Sequence, residues 1–143
     1  MNPKLEAIIV CVNYSDLLSI TLPRNIEYFD KVIVVTKEDD LDTINLCKNM
    51  DKVHVVTTDA FNHNGAKFNK GLAINVGYKF LEHKEFVMNL DADILLPMNF
   101  REDFFKLNPD PEFGYGCRRF DIPTKEDLDD ILNGRKSPND YIL

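Results

Sequence analysis

Apolar residues along this chain fall into short unbroken runs, separated by stretches with helical spacing. The first run, Leu5 to Val12 (Leu-Glu-Ala-Ile-Ile-Val-Cys-Val), reads as a strand buried on both faces, as in a parallel sheet. Lys31 to Thr36 and Val53 to Thr57 are two more such runs. The fourth, from Phe86, buries Phe86, Val87, Met88 and Leu90 and then releases a polar end bearing Asp91 and Asp93. Between the first two runs, Asn13-Tyr-Ser-Asp16 opens a helix that Ser15 or Asp16 is placed to cap. Its apolar face is Leu17, Leu18, Ile20, Ile26 and Phe29, and Pro23 is a kink or break. Glu38-Asp-Asp40 leads into a helix near 40–49, favoured by negative charge at its N-terminus. After a polar loop over 58–66, helical periodicity runs from about Phe68 to Leu81, with Phe68, Leu72, Ala73, Val76 and Phe80 on one face. Beyond the fourth strand the pattern predicts a helix over Phe100 to Leu107, a turn at Asn108-Pro-Asp-Pro111 and a fifth strand over Phe113 to Phe120. A helix from Thr124 to Leu132 follows, with Thr124 and Asp127 in capping-box spacing, and 134–143 reads as irregular.

The order β-α-β-α-β-α-β predicts an α/β fold: an open, mostly parallel sheet with helices on both faces, Rossmann-like in plan. Ligands of such sheets sit beyond the carboxyl ends of the strands. That edge collects Asn13, Tyr14, Thr36, Lys37, Asp59 and the Asp91/Asp93 pair.

The length of 143 residues predicts a single domain. A hydrophobic fraction of 44% and a charged fraction of 29% place it among ordinary globular proteins with a usable core. The net charge of −7 argues against broad nucleic-acid binding, which needs a basic face. It leaves room for a small phosphorylated ligand held by a metal and one or two local cations. No apolar run approaches the ~20 residues of a membrane span, and Met1-Asn-Pro-Lys-Leu-Glu lacks the basic-then-apolar order of a signal peptide. Cys11, Cys47 and Cys117 are odd in number, far apart and set in apolar segments, so reduced, buried thiols and a cytoplasmic setting are expected. There is no CxxC or HExxH, and His54, His63 and His83 are scattered, which argues against zinc.

The chemistry concentrates at Asp91 and Asp93. Burying two neighbouring carboxylates at the end of a strand is costly unless a cation offsets them. Hard oxygen ligands suit Mg2+ or Mn2+, which suit a diphosphate. The plainer alternative is a polar turn after a strand. Upstream, Phe68-Asn-Lys-Gly-Leu-Ala-Ile-Asn-Val-Gly77 carries two glycines inside a helical pattern, each costing about 1 kcal/mol relative to alanine. That suggests close packing on a backbone or ligand. Lys70 is either a phosphate-binding group or an exposed lysine of an amphipathic helix. Asp59 to Gly65 would cover a nucleotide, with His63 a solvated loop residue. Arg118 and Arg119 lie on or after the fifth strand, where neighbours face opposite ways, so either one of them neutralises phosphate or they are an edge-strand or surface pair. Glu126 to Asp130 is a solvated helix face.

Two of these segments together resemble the nucleotide-binding part of GT-A glycosyltransferases, the fold of family 2 enzymes and of the β-1,4-galactosyltransferases. Phe68-Asn-Lys-Gly-Leu-Ala-Ile-Asn-Val-Gly77 resembles the FNRAxLLNVG segment of that group, and Asn89-Leu-Asp-Ala-Asp-Ile-Leu-Leu-Pro-Met-Asn99 its DVDLIPMN segment, at similar spacing. The resemblance spans roughly residues 5–120 and is strongest over 68–99. It implies a nucleotide-sugar donor, with a UDP-sugar foremost, and Mn2+ or Mg2+. It also implies that Asp91 and Asp93, as a DxD motif, face ribose and metal. Phe68 and Lys70 would lie near the nucleotide, with lysine replacing arginine and losing its planar fork. Asn13 and Tyr14 would line the base pocket.

Only 50 residues follow Asp93, and none resembles the WGxEDxD-type segment; all three histidines precede it. The reduced C-terminal part leaves the acceptor surface, a further metal ligand and the general base unassigned. The expectation is therefore a glycosyltransferase-like, DxD-metal, donor-binding domain that transfers a sugar to an unknown hydroxyl acceptor. The alternatives are a non-catalytic nucleotide-sugar-binding module and a subunit completed by a partner. A phosphatase of the haloacid dehalogenase type ranks last, because its DxD sits on the first strand rather than the fourth.

Overall fold

The structure, a computed structural model, describes residues 2–137 and 140. These divide into two compact units, Met1–Ile94 and Leu95–Leu143. The first carries four strands, β1 (Leu5–Val10), β2 (Lys31–Thr36), β3 (Val53–Thr57) and β4 (Phe86–Asp91). They form one sheet in the order β3-β2-β1-β4, every pair parallel. This is the open α/β sheet the hydrophobic runs predict. In the middle strands β1 and β2 almost every residue is buried, as two-sided coverage requires. The fourth strand pairs on one side, among the described residues, and accordingly buries Phe86 and Leu90 fully but Val87 and Met88 only in part.

Helices cover both faces. Helix α3 (Lys70–Tyr78) packs on the face formed by Ile8, Val10, Ile33 and Val35. Gly77 makes that approach possible: a Cβ there would lie 2.7 Å from a Val35 methyl and 3.1 Å from one of Ile8. Gly71 has open space instead, with only Asn69 Oδ1 at 3.9 Å, so close packing explains one of the two glycines. Phe68 and Phe80, expected on the buried face of this helix, are exposed, and Ala73 and Gly77 take that place. On the opposite face, Cys11 meets Thr43 of α2 (Leu41–Cys47), Sγ to Oγ1 3.5 Å. Helix α1 (Ser15–Asn25) packs against α2 and buries Leu18, Thr21, Leu22 and Asn25, a stripe at helical spacing. Neither Ser15 nor Asp16 caps it: Tyr14 holds the cap position, without a side-chain bond to the first turn. Pro23 stays inside the helix, and a 3-10 turn at Ile26–Tyr28 takes over three residues later.

Glu6, the second residue of β1, is fully buried. Its carboxylate accepts backbone N–H bonds from Glu82, His83 and Lys84 at 2.9, 2.8 and 2.7 Å. Those three bonds offset the desolvation of a charged strand residue and pin the turn that feeds β4.

In the second unit, α4 (Phe100–Lys106) and α5 (Lys125–Leu132) form where the periodicity predicts. Thr124 caps α5, accepting from Asp127 N at 3.1 Å. The expected strand over 113–120 does not form; the segment is irregular and exposed throughout. Gly114 and Gly116 occupy alternate positions there and supply no side chain to a sheet face. Cys117 is exposed with it, against the expectation of a buried thiol, whereas Cys11 and Cys47 are buried. Ser137 and Asp140 end the described chain; the rest of the predicted irregular tail lies outside the described residues.

Candidate functional site

The strand order determines where the site falls. From β1 the chain moves outward through β2 to β3, then returns across the sheet to place β4 on the other side of β1. The carboxyl ends of β1 and β4 therefore flank the point where the strand order reverses, the place where open α/β sheets bind ligands. Val10 and Asp91 are register partners across that pair.

Asp91 ends β4 and is about a quarter exposed. Asp93, itself exposed, follows in a turn closed by Ile94 N donating to Asp91 O at 3.2 Å. Lys70, the first residue of α3, donates its ammonium to Asp91 Oδ1. The helix start is fixed by Asn69, whose side chain accepts from Leu72 N at 3.0 Å. The FNKG segment and the DxD segment, 21 residues apart in sequence, thus meet in space.

The other sequence-derived residues occupy the same edge in different states. Asn13 is exposed after β1, with φ at +57° and its backbone N donating to Asp40 Oδ2 at 2.9 Å. Tyr14 is exposed beside it. Thr36 is fully buried at the end of β2, and its hydroxyl donates to the same Asp40 oxygen at 2.8 Å, so it shapes the edge from beneath. Lys37 is half-buried and Asp59 exposed. Phe68 is half-exposed and stacks on buried Phe61, centroids 5.2 Å apart. The loop between them is tied by Asn69 N to Phe61 O at 2.7 Å.

Asp40, expected as part of the negative charge that opens α2, does more than that. It caps α2 through Thr43 N and ties the loop after β1 to the end of β2. Burial pushes its carboxyl up, and the hydrogen bonds from Asn13, Thr43 and Thr36 together outweigh that, holding it below the usual carboxylate range. Thr21 and Asn25 are two further buried polar residues, on the stripe 18-21-22-25 of α1, that the apolar pattern of that helix does not single out. Burial pushes the Cys47 thiol up to about 12 and raises Cys11 as well, so neither is a thiolate near neutrality.

Among the described residues no group of three or more His, Cys, Asp or Glu side chains is placed to hold a metal. The donor set still fits a small hard cation, since Mg2+ is commonly held by one or two carboxylates, with water and substrate phosphate completing the shell.

No protein family matches the chain by sequence, and no curated protein sequence matches it. Among solved structures it is similar to a 4-diphosphocytidyl-2C-methyl-D-erythritol synthase from Anaerococcus prevotii, with a TM-score of 0.53 and 23% identity, over 74% of this chain and 50% of that one. The chain thus spans half the length of that protein. At this identity the likeness shows the fold alone, an α/β unit built on an open parallel sheet. It does not extend to the galactosyltransferase group that the two motifs resemble. No helix among the described residues is long and apolar enough to cross a membrane.

Proposed function

We propose that this domain binds a nucleotide-sugar through a divalent cation at Asp91 and Asp93 and serves glycosyl transfer to a hydroxyl acceptor. The observation that carries the reading is the meeting of the two motif segments at the switch point: Lys70 at the start of α3 on Asp91 at the end of β4. Chance DxD spacing gives no reason for a cation-bearing helix start to sit on the first carboxylate.

In this reading Asp91 and Asp93 hold Mn2+ or Mg2+, which when bound supplies positive charge against a diphosphate leaving group. Lys70 adds a mobile point charge for the phosphates. The exposed rings of Tyr14 and Phe68 offer flat apolar surface for a base or sugar. The Asp40 bonds keep the Asn13 loop in one conformation.

Calorimetry with UDP and Mn2+ tests the reading. Wild type is expected to bind UDP only with the metal, and Asp93→Ala to lose at least about tenfold in affinity. Equal, metal-independent binding by both proteins would sink it. Sugar release from a UDP-sugar series then separates a transferase from a binding module.

A further inference from the structure

The turn that carries Asp93 is held from behind by a helix to which nothing so far assigns a part in the site. Helix α1 buries a stripe of four residues, and two of them, Thr21 and Asn25, are polar. Thr21 is 5% exposed and donates its hydroxyl to Ala92 O at 2.6 Å. Asn25 is 1% exposed and donates its side-chain amide to Ile94 O at 2.7 Å. The carbonyls on either side of Asp93 are therefore both bonded to one helix. Strand pairing ends at Asp91, so these carbonyls have no ladder partner and would otherwise be stranded beside the core. A plain apolar stripe on α1 would satisfy packing and leave the turn loose.

We propose that Thr21 and Asn25 are positioning residues of the Asp91/Asp93 cation site: by clamping the carbonyls of Ala92 and Ile94 they fix the backbone that presents the two carboxylates. This rests on the reading that those carboxylates hold a divalent cation with a nucleoside diphosphate. The physical reason is general. Carboxylate ligands must sit within a fraction of an ångström of the productive geometry, and the groups that orient them contribute to affinity without touching the metal.

The experiment measures Mn2+ affinity by electron paramagnetic resonance, with saturating UDP, alongside the urea midpoint of each variant. Thr21→Val keeps the shape and removes the donor; it is expected to weaken Mn2+ about ten- to hundredfold. Thr21→Ser restores the hydroxyl and is expected to recover wild-type affinity. Leu22→Val, on the same buried stripe with no part in the clamp, is expected to lower the midpoint and leave affinity unchanged, which separates positioning from mere stability. Asn25→Ala provides the same test at the second bond if Thr21→Val does not fold. Wild-type affinity in either folded donor-less variant overturns the proposal, as does a loss of affinity in Leu22→Val equal to theirs. If wild type itself shows no UDP-dependent Mn2+ binding, the cation-site reading has failed, an outcome distinct from failure of the clamp alone.

Discussion

At the scale of single residues, the proposed site turns on the ion pair between Lys70 and Asp91. An ammonium sits on the carboxylate that the proposed cation needs. A cation arriving alone must displace or repel that ammonium, whereas one arriving with a diphosphate brings negative charge for the ammonium to move to. Metal and nucleotide are therefore expected to bind with positive coupling. The pair is partly exposed, so its net worth is modest, of the order of 1 kcal/mol. Lys70→Met is predicted to tighten Mn2+ binding without nucleotide by roughly three- to tenfold, consistent with that energy. With UDP present it is predicted to weaken the complex, because the phosphates lose their partner. Manganese titrations with and without UDP decide this: a Lys70→Met protein that binds bare Mn2+ no better than wild type shows that the ion pair does not guard the site.

The elements show what packing asks of particular positions. Gly77 lets α3 rest on β1 and β2, and the atoms in the way of a side chain are methyls of Val35 and Ile8. These are β-branched residues in strands, stiff at χ1 and unable to swing aside. Gly77→Ala gains about 1 kcal/mol of helix propensity but forces overpacking costing about 1–3 kcal/mol. A net loss of stability is predicted, while Gly71→Ala, with open space, should be neutral or slightly stabilising. Urea unfolding of the two variants checks the contrast, and equal midpoints for both would refute it. The same physics explains which elements were readable in advance. β1 and β2 are apolar runs because the sheet is covered on both faces there, and the observed limits of β1, β2 and β3 fall within the predicted runs. Phe113 to Phe120 looks like a strand by alternation, yet alternation marks a strand only where one face is buried, and no residue of that segment is. The Asp91/Asp93 edge was legible because strand ends follow from strand order. The groups that brace it were not: Thr21, Asn25 and Asp40 are ordinary polar letters until the tertiary fold buries them.

At the scale of the whole molecule, the sheet, its helices and the candidate site belong to one unit. All four strands, the helices on both faces and every candidate residue from Asn13 to Asp93 lie within Met1–Ile94. The clamp from α1 ends at Ile94 O, inside the same boundary. The second unit brings its own aromatic cluster, Phe100 and Phe105 around Phe104, with Tyr115 edge-on at 5.9 Å. Its helix α5 is closed by Thr124 at one end and by Arg135 and Lys136 on Asp130 at the other. If donor binding is a property of the sheet edge alone, a chain of residues 1–94 should fold cooperatively and bind UDP with Mn2+ within roughly threefold of the full chain, a difference under about 1 kcal/mol. Transfer to an acceptor is a separate matter, because the resemblance to GT-A enzymes implies an acceptor surface and base supplied after the DxD segment. The prediction is thus a split: donor affinity retained by 1–94 and sugar transfer lost. Calorimetry and a transfer assay on both lengths measure it. A 1–94 chain that folds by circular dichroism yet binds no UDP would place part of the donor site in residues 95–143 and overturn the division of labour argued from Asp91, Asp93 and their supports.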